Sequence, residues 1–565
     1  MSLWRSILLA ATLASFSACA LVAKPPAGFP PTTTPAATSI SAVVDPVAQA
    51  RMLANNASHA QRPEFARRDW LQCAVLSYRS MRGASDPTSA LGWYQRCTEQ
   101  LVDDLLETDS DGWTSRVLSL GQDKLQIAIA PMPASLHGAL QLVPARQVAI
   151  PESFDRRYER KGIGVALVAV TRRCNDRSAC RLYPPEGVTR AVTAWIDLDD
   201  NDQPRLRIAD PLREPSPTIG ARQYPLAMDA TAPYALLFDQ SKLKRLAIWN
   251  LIGGKQIGQR EGLYLLEDYD PNKIPVVMIH GLGASPLIWG RLTNRIFGTP
   301  ALRERYQVWH VVYQSNAPVL LNRLRVQQFL DRGWQWLDPS GAALARRDMV
   351  LIGHSMGGVI ARLLCAESGD LLWRTAFTVP PEQMPASEQD MTMLKDLFFF
   401  HPYPGVERAV FMASPHLGSP LSERFLGRIA VLVLNPRAPE LDALRRLSTQ
   451  HPAVVQSALL AIYQSIGLSS VSTLRKTQPV SHAAQNLMPA PGIRYYTIAG
   501  ERGGAGEPGD GVVPLSSAVI PGAVSTTIVD SGHKVYNNDK AVEKTIEILG
   551  EAPVVESVRR DALSQ

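Results

Sequence analysis

Three residues in this chain have the types and the order needed to move an acyl group: the hydroxyl of Ser355, the carboxylate of Asp510 and the imidazole of His533. Ser355 lies in Gly353-His354-Ser355-Met356-Gly357. Met349 to Ile352 before it is an apolar run the size of a buried strand, and Val359 to Ala366 after it reads as a helix. Strand, sharp turn and helix are the context a nucleophile elbow requires. Glycines two residues to either side remove the Cβ atoms that would collide where strand and helix nearly touch. The hydroxyl then stands near a helix N-terminus, where free N–H groups and the dipole favour negative charge. Asp510 follows the penultimate candidate strand in Gly509-Asp510-Gly511-Val512-Val513-Pro514; Glu501 and Glu507 are its rivals in the same glycine-rich run, and Asp530 is the runner-up beside His533. His533 follows the last candidate strand and is the only histidine after Ala484. In such a set the imidazole takes the serine proton during attack on a carbonyl, and the carboxylate fixes the imidazole tautomer.

Positioning these groups calls for alternating strands and helices. Ile274 to Ile279, Tyr306 to Val312, Met349 to Ile352, Arg408 to Ala413, Arg494 to Ile498 and Thr526 to Val529 read as strands. Pro286 to Phe297, Asn322 to Trp336 and Lys540 to Leu549 read as helices between or after them. This α/β pattern predicts a mostly parallel sheet covered by helices, with active groups outside the carboxyl ends of its strands. Leu236 to Glu267 is expected to supply the first strands of the same sheet. Two insertions, 369–403 and 421–491, are candidate caps or lids. The first carries Leu397-Phe398-Phe399-Phe400, and the second carries the apolar run Phe425 to Val433 and an amphipathic helix over Pro439 to Leu447. Apolar faces of this kind serve either a moving lid or ordinary cap helices packed on the core.

HGLGASP at 280–286, GHSMGG at 353–358, ASPHLGSP at 413–420, DGVVP at 510–514 and GH at 532–533 together resemble the lipase and esterase branch of the α/β-hydrolase family, over roughly Ile274 to Gly550. The resemblance implies the α/β-hydrolase fold and a carboxylester hydrolase working through an acyl-enzyme on lipid-like esters. It also implies oxyanion donors at the backbone N–H groups of Leu282 and Met356. A phospholipase or an acyltransferase would use the same three residues on a different head group or acceptor. His280 is expected to prop the oxyanion turn, His354 to line the pocket or pack, and His416 and Ser419 to border the site. No metal or cofactor pattern is present: there is no H-E-x-x-H and no cysteine–histidine cluster.

The 565 residues carry a net charge of +6 with arginines scattered rather than blocked, which gives no reason to expect a nucleic-acid partner. Residues 1–19 read as an export signal: Arg5, a short apolar stretch from Ile7 to Phe16, then Phe16-Ser17-Ala18-Cys19. The last four resemble a bacterial lipobox with Cys19 as the lipidated residue, departing from it at Phe16, where Leu is usual. Plain secretion with cleavage at Ala18-Cys19-Ala20 is the competing reading. Ala20 after the cysteine suggests an outer-membrane lipoprotein, anchored to the membrane by its N-terminus. Residues 20–44, rich in Pro, Thr and Ala, are a tether. Residues 45–233 form an N-terminal α+β region of unknown role that offers a surface for a protein partner, 234–553 the hydrolase-like domain, and 554–565 a tail. Export admits disulfides, and Cys73 with Cys97 and Cys174 with Cys180 are the candidate pairs; Cys365 is expected to be a buried thiol. An envelope interaction protein with an idle hydrolase core is the reading from a second class.

Overall fold

The computed structural model describes residues 45–83, 87–108, 112–132, 135–136, 138–241, 260–418, 438–464, 478–503 and 507–551. Cys19 with the signal, the rest of the 20–44 tether, Ser419, the Phe425 to Val433 run and the 554–565 tail lie outside the described residues.

The main sheet has seven strands in the spatial order Gly262–Leu265, Tyr306–Val312, Ile274–Ile279, Met349–His354, Val406–Met412, Arg494–Glu501 and Ser525–Asp530. Gly262–Leu265 runs antiparallel at one edge and the other pairings are parallel. The central strands read as unbroken apolar runs because both faces are covered. Val276, Met278, Val350, Ile352, Val410 and Met412 point to one side, into a core closed by helices Gly290–Gly298 and Asp539–Gly550. Val277, Ile279, Leu351 and Phe411 point to the other, against Val319–Leu337 and Met356–Leu364. The period of two along each strand sorts these residues into two faces.

The N-terminal region is built from the hairpin of helices Pro63–Gly83 and Thr88–Thr108, preceded by Pro46–His59 and followed by a six-stranded mixed sheet. Cys73–Cys97 ties the two hairpin helices together, and Cys174–Cys180 closes a short loop. Tyr94 donates to the Ile196 carbonyl at 2.6 Å, and the Gln95 amide clasps both backbone groups of Gly164, which fastens the third helix to this sheet. Arg116–Leu120 and Gln141–Pro144 form the two edges of this sheet.

The sequence expectation for Leu236 to Glu267 needs correction at its start. Ala232–Gln240 is a helix, opened by Pro233 and free of β-branched residues, and it packs through Tyr234 and Phe238 on Phe154 and Val168 of the N-terminal region. Only Gly262–Leu265 from that stretch enters the main sheet, and 242–259 lie outside the described residues. The N-terminal region seats against this edge: Arg190 pairs with Asp268 at 2.9 Å, Asn294 donates to the Arg156 carbonyl at 2.8 Å, and Leu182 faces Leu263 across Gly333. An otherwise open sheet edge is thereby covered. That edge is three strand spacings, about 14 Å, from the strand that leads to Ser355.

The two insertions knit into one cap. Trp373, Phe377 and Phe398 form an aromatic cluster, and Leu397, Phe398 and Phe400 are buried rather than presented to solvent. Helix Glu388–Phe398 packs on Pro439–Gln450, joined at the rim by the Arg446–Asp390 pair. Arg362 donates to the carbonyls of Ala484 and Leu487 at the end of helix Pro479–Gln485, so the helix after Ser355 is pinned to the second insertion.

Candidate active site

Ser355 sits between the end of a parallel strand and the first turn of a helix, with φ 55° and ψ −124°. A left-handed φ at a non-glycine residue is strained, and such strain persists only where the surroundings over-determine it. They do so here through backbone contacts. A Cβ on Gly357 would lie 2.2 Å from the Ile279 carbonyl oxygen and 2.4 Å from that of His280. A Cβ on Gly353 would lie 2.3 Å from the Gly357 carbonyl oxygen. The Ser355 N–H donates to the Met412 carbonyl at 2.9 Å, which sets the turn on the neighbouring strand.

The structure brings Ser355, His533 and Asp510 into one hydrogen-bonded line. His533 Nδ1 lies 2.8 Å from Asp510 Oδ2, and its Nε2 lies 3.0 Å from Ser355 Oγ. A carboxylate only accepts, so Nδ1 carries the proton and Nε2 is free to accept from the serine hydroxyl. Asp510 is buried, and its other oxygen accepts from the N–H groups of Val512 (2.8 Å) and Val513 (2.7 Å). Gly500 lets the loops close: a Cβ there would stand 2.9 Å from Asp510 Cβ and 2.7 Å from the Ser531 carbonyl. The rival carboxylates are elsewhere. Glu507 accepts from Ser516 on the surface, Asp530 is exposed, and Glu501 ends its strand while His533 Nδ1 is taken by Asp510.

Gly281 of the His-Gly-Leu-Gly turn approaches Ser355 closely, since a Cβ on it would fall 2.9 Å from Ser355 Cβ. The turn is held by Gly283 N–H donating to Ser315 Oγ at 3.0 Å, by His280 Nδ1 donating to the Gly281 carbonyl at 3.0 Å, and by the Tyr313 hydroxyl donating to the His280 carbonyl at 2.6 Å. His280 also stacks on Tyr313 with ring centroids 4.5 Å apart. Leu282 is the next residue of this turn, and Met356 is the first residue of the helix, where an N–H has no acceptor within its own helix. An oxyanion forming at Ser355 would need two such amide donors.

His354 donates Nε2–H to the His533 carbonyl at 2.8 Å and packs its ring 4.9 Å from that of His533 and 4.8 Å from Tyr536. Burial, followed by the neighbouring His533, pushes its pKa down to about 3, and burial takes His280 down to about 4. His416 is also buried, chiefly by desolvation held well below its ordinary value, and neither ring nitrogen has a partner among the described residues. Sequence reasoning did not find the anchoring roles of His354 and Ser315. The adjacency of His354 to Ser355 was the available signal for one; Ser315 offers none.

Residues 276–547 match the alpha/beta hydrolase family. No curated protein matches the sequence. Among solved structures, the chain is similar to the mature form of a Bacillus licheniformis lipase at 18% identity and a TM-score of 0.30, over 51% of this chain and 97% of that one. It is similar to lipase 1 from Pelosinus fermentans at 13% identity and a TM-score of 0.28, over 50% and 100%. Esterase B from Lactobacillus rhamnosis is matched at 16% identity and a TM-score of 0.26, over 51% and 78%. With strand order, elbow and matched segment in agreement, residues 262–550 carry the α/β-hydrolase fold.

Proposed function

We infer that the chain is a serine carboxylester hydrolase of lipase or esterase type, acting on lipid-like esters in a bacterial cell envelope. The observation that carries this reading is the continuous line from Ser355 Oγ through His533 to buried Asp510, set on a strained elbow. His533 Nε2 takes the Ser355 proton as Oγ attacks the ester carbonyl carbon. The carbonyl oxygen, now an anion, is met by the N–H groups of Met356 and Leu282, each such donor worth about 3 kcal/mol in the transition state. His533 returns the proton to the departing alcohol and leaves an acyl-Ser355 ester. Water, deprotonated by the same imidazole, then releases the acid and restores Ser355. Asp510 holds the Nδ1–H tautomer and stabilises the imidazolium.

The test is hydrolysis of nitrophenyl esters from short to long acyl chains by the wild type and by Ser355→Ala. Turnover that disappears in Ser355→Ala supports the reading, and equal inactivity of both folded proteins across the series, with phospholipids and alcohol acceptors included, overturns it. The envelope location rests on the lipobox-like segment alone, with anchoring through Cys19. Intact mass of the protein recovered from membranes decides it: a diacylglyceryl-sized increment that Cys19→Ser abolishes is expected, and release of unmodified protein in soluble form refutes the anchor.

A further inference from the structure

Beneath the cap lies a cavity of about 70 Å³ that is lined by none of the three candidate catalytic residues. Its floor is Val359, Arg362 and Leu363, which are four, seven and eight positions after Ser355 and so lie along one face of the elbow helix. The cavity therefore begins one helical turn, about 6 Å, from Ser355. Phe398 and Leu444 of the two insertions close it from above. Its mostly apolar walls suit a short stretch of hydrocarbon.

One part of the wall does not suit a plain hydrocarbon. His416 is 1% exposed, lines the cavity, and has neither ring nitrogen hydrogen-bonded among the described residues. Arg362 lines it too: its terminal nitrogens are taken by the carbonyls of Ala484, Gln485 and Leu487, while its Nε has no partner. Buried polar atoms are almost always paired, so each unpaired one calls for a missing partner. Burial keeps His416 neutral, which leaves one ring nitrogen a donor and the other an acceptor. A carbonyl accepts but cannot donate, and an alkyl chain does neither. A hydroxyl does both.

We propose that this cavity binds an acyl chain bearing a hydroxyl group, which His416 reads as both donor and acceptor with Arg362 Nε beside it. That the chain is the acyl part of an ester rests on the hydrolase reading above; that the cavity prefers a hydroxylated chain does not. The experiment uses full-length Ser355→Ala protein and calorimetric titration with methyl octanoate and its positional isomers hydroxylated from C2 to C8. One isomer is expected to bind at least about 10-fold more tightly than methyl octanoate, the worth of one well-made hydrogen bond. His416→Leu should bring that ratio to about 1, and His416→Asn, which keeps a donor and an acceptor, should retain part of it. Equal binding of all the esters, or binding of none, overturns the proposal. Nitrophenyl esters of the same acids on the wild type separate the two readings. A hydroxyl preference in binding with no turnover of any ester sinks the hydrolase and leaves the proposal standing. Turnover that depends on Ser355, with no hydroxyl preference in binding or in kcat/KM, sinks the proposal and leaves the hydrolase.

Discussion

Replacing His354 by Phe tests whether the residue before the candidate nucleophile positions the imidazole opposite it. Phe keeps an aromatic ring against His533 and Tyr536 and removes one interaction, the Nε2–H bond to the His533 carbonyl at 2.8 Å. Such a bond contributes about 1 kcal/mol net, and a buried acceptor left without a donor costs about 1–3 kcal/mol. If that free energy now favours loop conformers in which His533 has moved off Ser355 Oγ, the competent fraction falls by roughly 5- to 150-fold, at about 1.4 kcal/mol per factor of ten. A displacement of about 1 Å is enough for a loss of order 10²-fold. Expected, then, is a kcat about 10- to 100-fold below wild type with KM within about twofold, because the acyl and alcohol sites are untouched. His354→Gln should recover most of the loss, since its amide nitrogen reaches nearly as far as Nε2 and donates to the same carbonyl. The assay is nitrophenyl butanoate turnover with active-site titration, beside thermal melting to separate positioning from unfolding. Wild-type kcat in folded His354→Phe, or a Gln variant no better than Phe, refutes the argument.

Gly357→Ala should abolish activity and lower Tm by many degrees, because the added methyl meets the backbone oxygens of Ile279 and His280, which cannot swing aside; a wild-type melting curve would contradict this. Asp510→Asn should keep the fold but lower kcat by about 10⁴-fold through the wrong imidazole tautomer, read in the same ester assay. Removing the Cys73–Cys97 disulfide by paired Ala substitution opens a loop of 24 residues and should cost about 3 kcal/mol in denaturant unfolding. Glu407 is pushed up to about 7 by burial and then by Asp348, so between its ordinary range and 7 the folded chain holds a proton the unfolded chain releases. Stability must therefore fall as pH rises through that window, and Glu407→Gln should flatten Tm against pH from about 5 to 8; unchanged slopes would remove Glu407 from the account.

The parts of the fold that follow from local pattern were legible in the sequence. The central parallel strands are apolar because both faces are covered, and runs such as Val276 to Ile279 announce that without knowledge of their neighbours. The elbow was legible for the same reason: its glycines answer a collision within a few residues of Ser355. Helix Ala232–Gln240 was not, because it is apolar on nearly every side and a short run of that kind carries no period to tell helix from strand. Tertiary anchoring was illegible by nature. The partner of His354 is 179 positions away, and the Ser315 that holds the His280–Gly283 turn has no neighbour in sequence that marks it.

The four histidines around Ser355 show how one fold gives the same side chain different work. His280, His354 and His416 are all buried, and burial is the first cause holding each of them neutral. In the proposed mechanism a positive charge on any of them would compete with the imidazolium forming at His533. Kept neutral, His280 and His354 act through geometry alone, one donating to the carbonyl of Gly281 and the other to that of His533. Only His533 among the four combines partial exposure with a buried carboxylate partner. The nearest buried cation on the elbow helix, Arg362, is two turns on and spends its terminal donors on three carbonyls of the second insertion. In the proposed mechanism, amide dipoles at the start of the elbow helix would favour negative charge where an ester oxygen develops it. A substitution that charges His354 or His280 would disturb the proposed reaction without touching the three candidate catalytic residues.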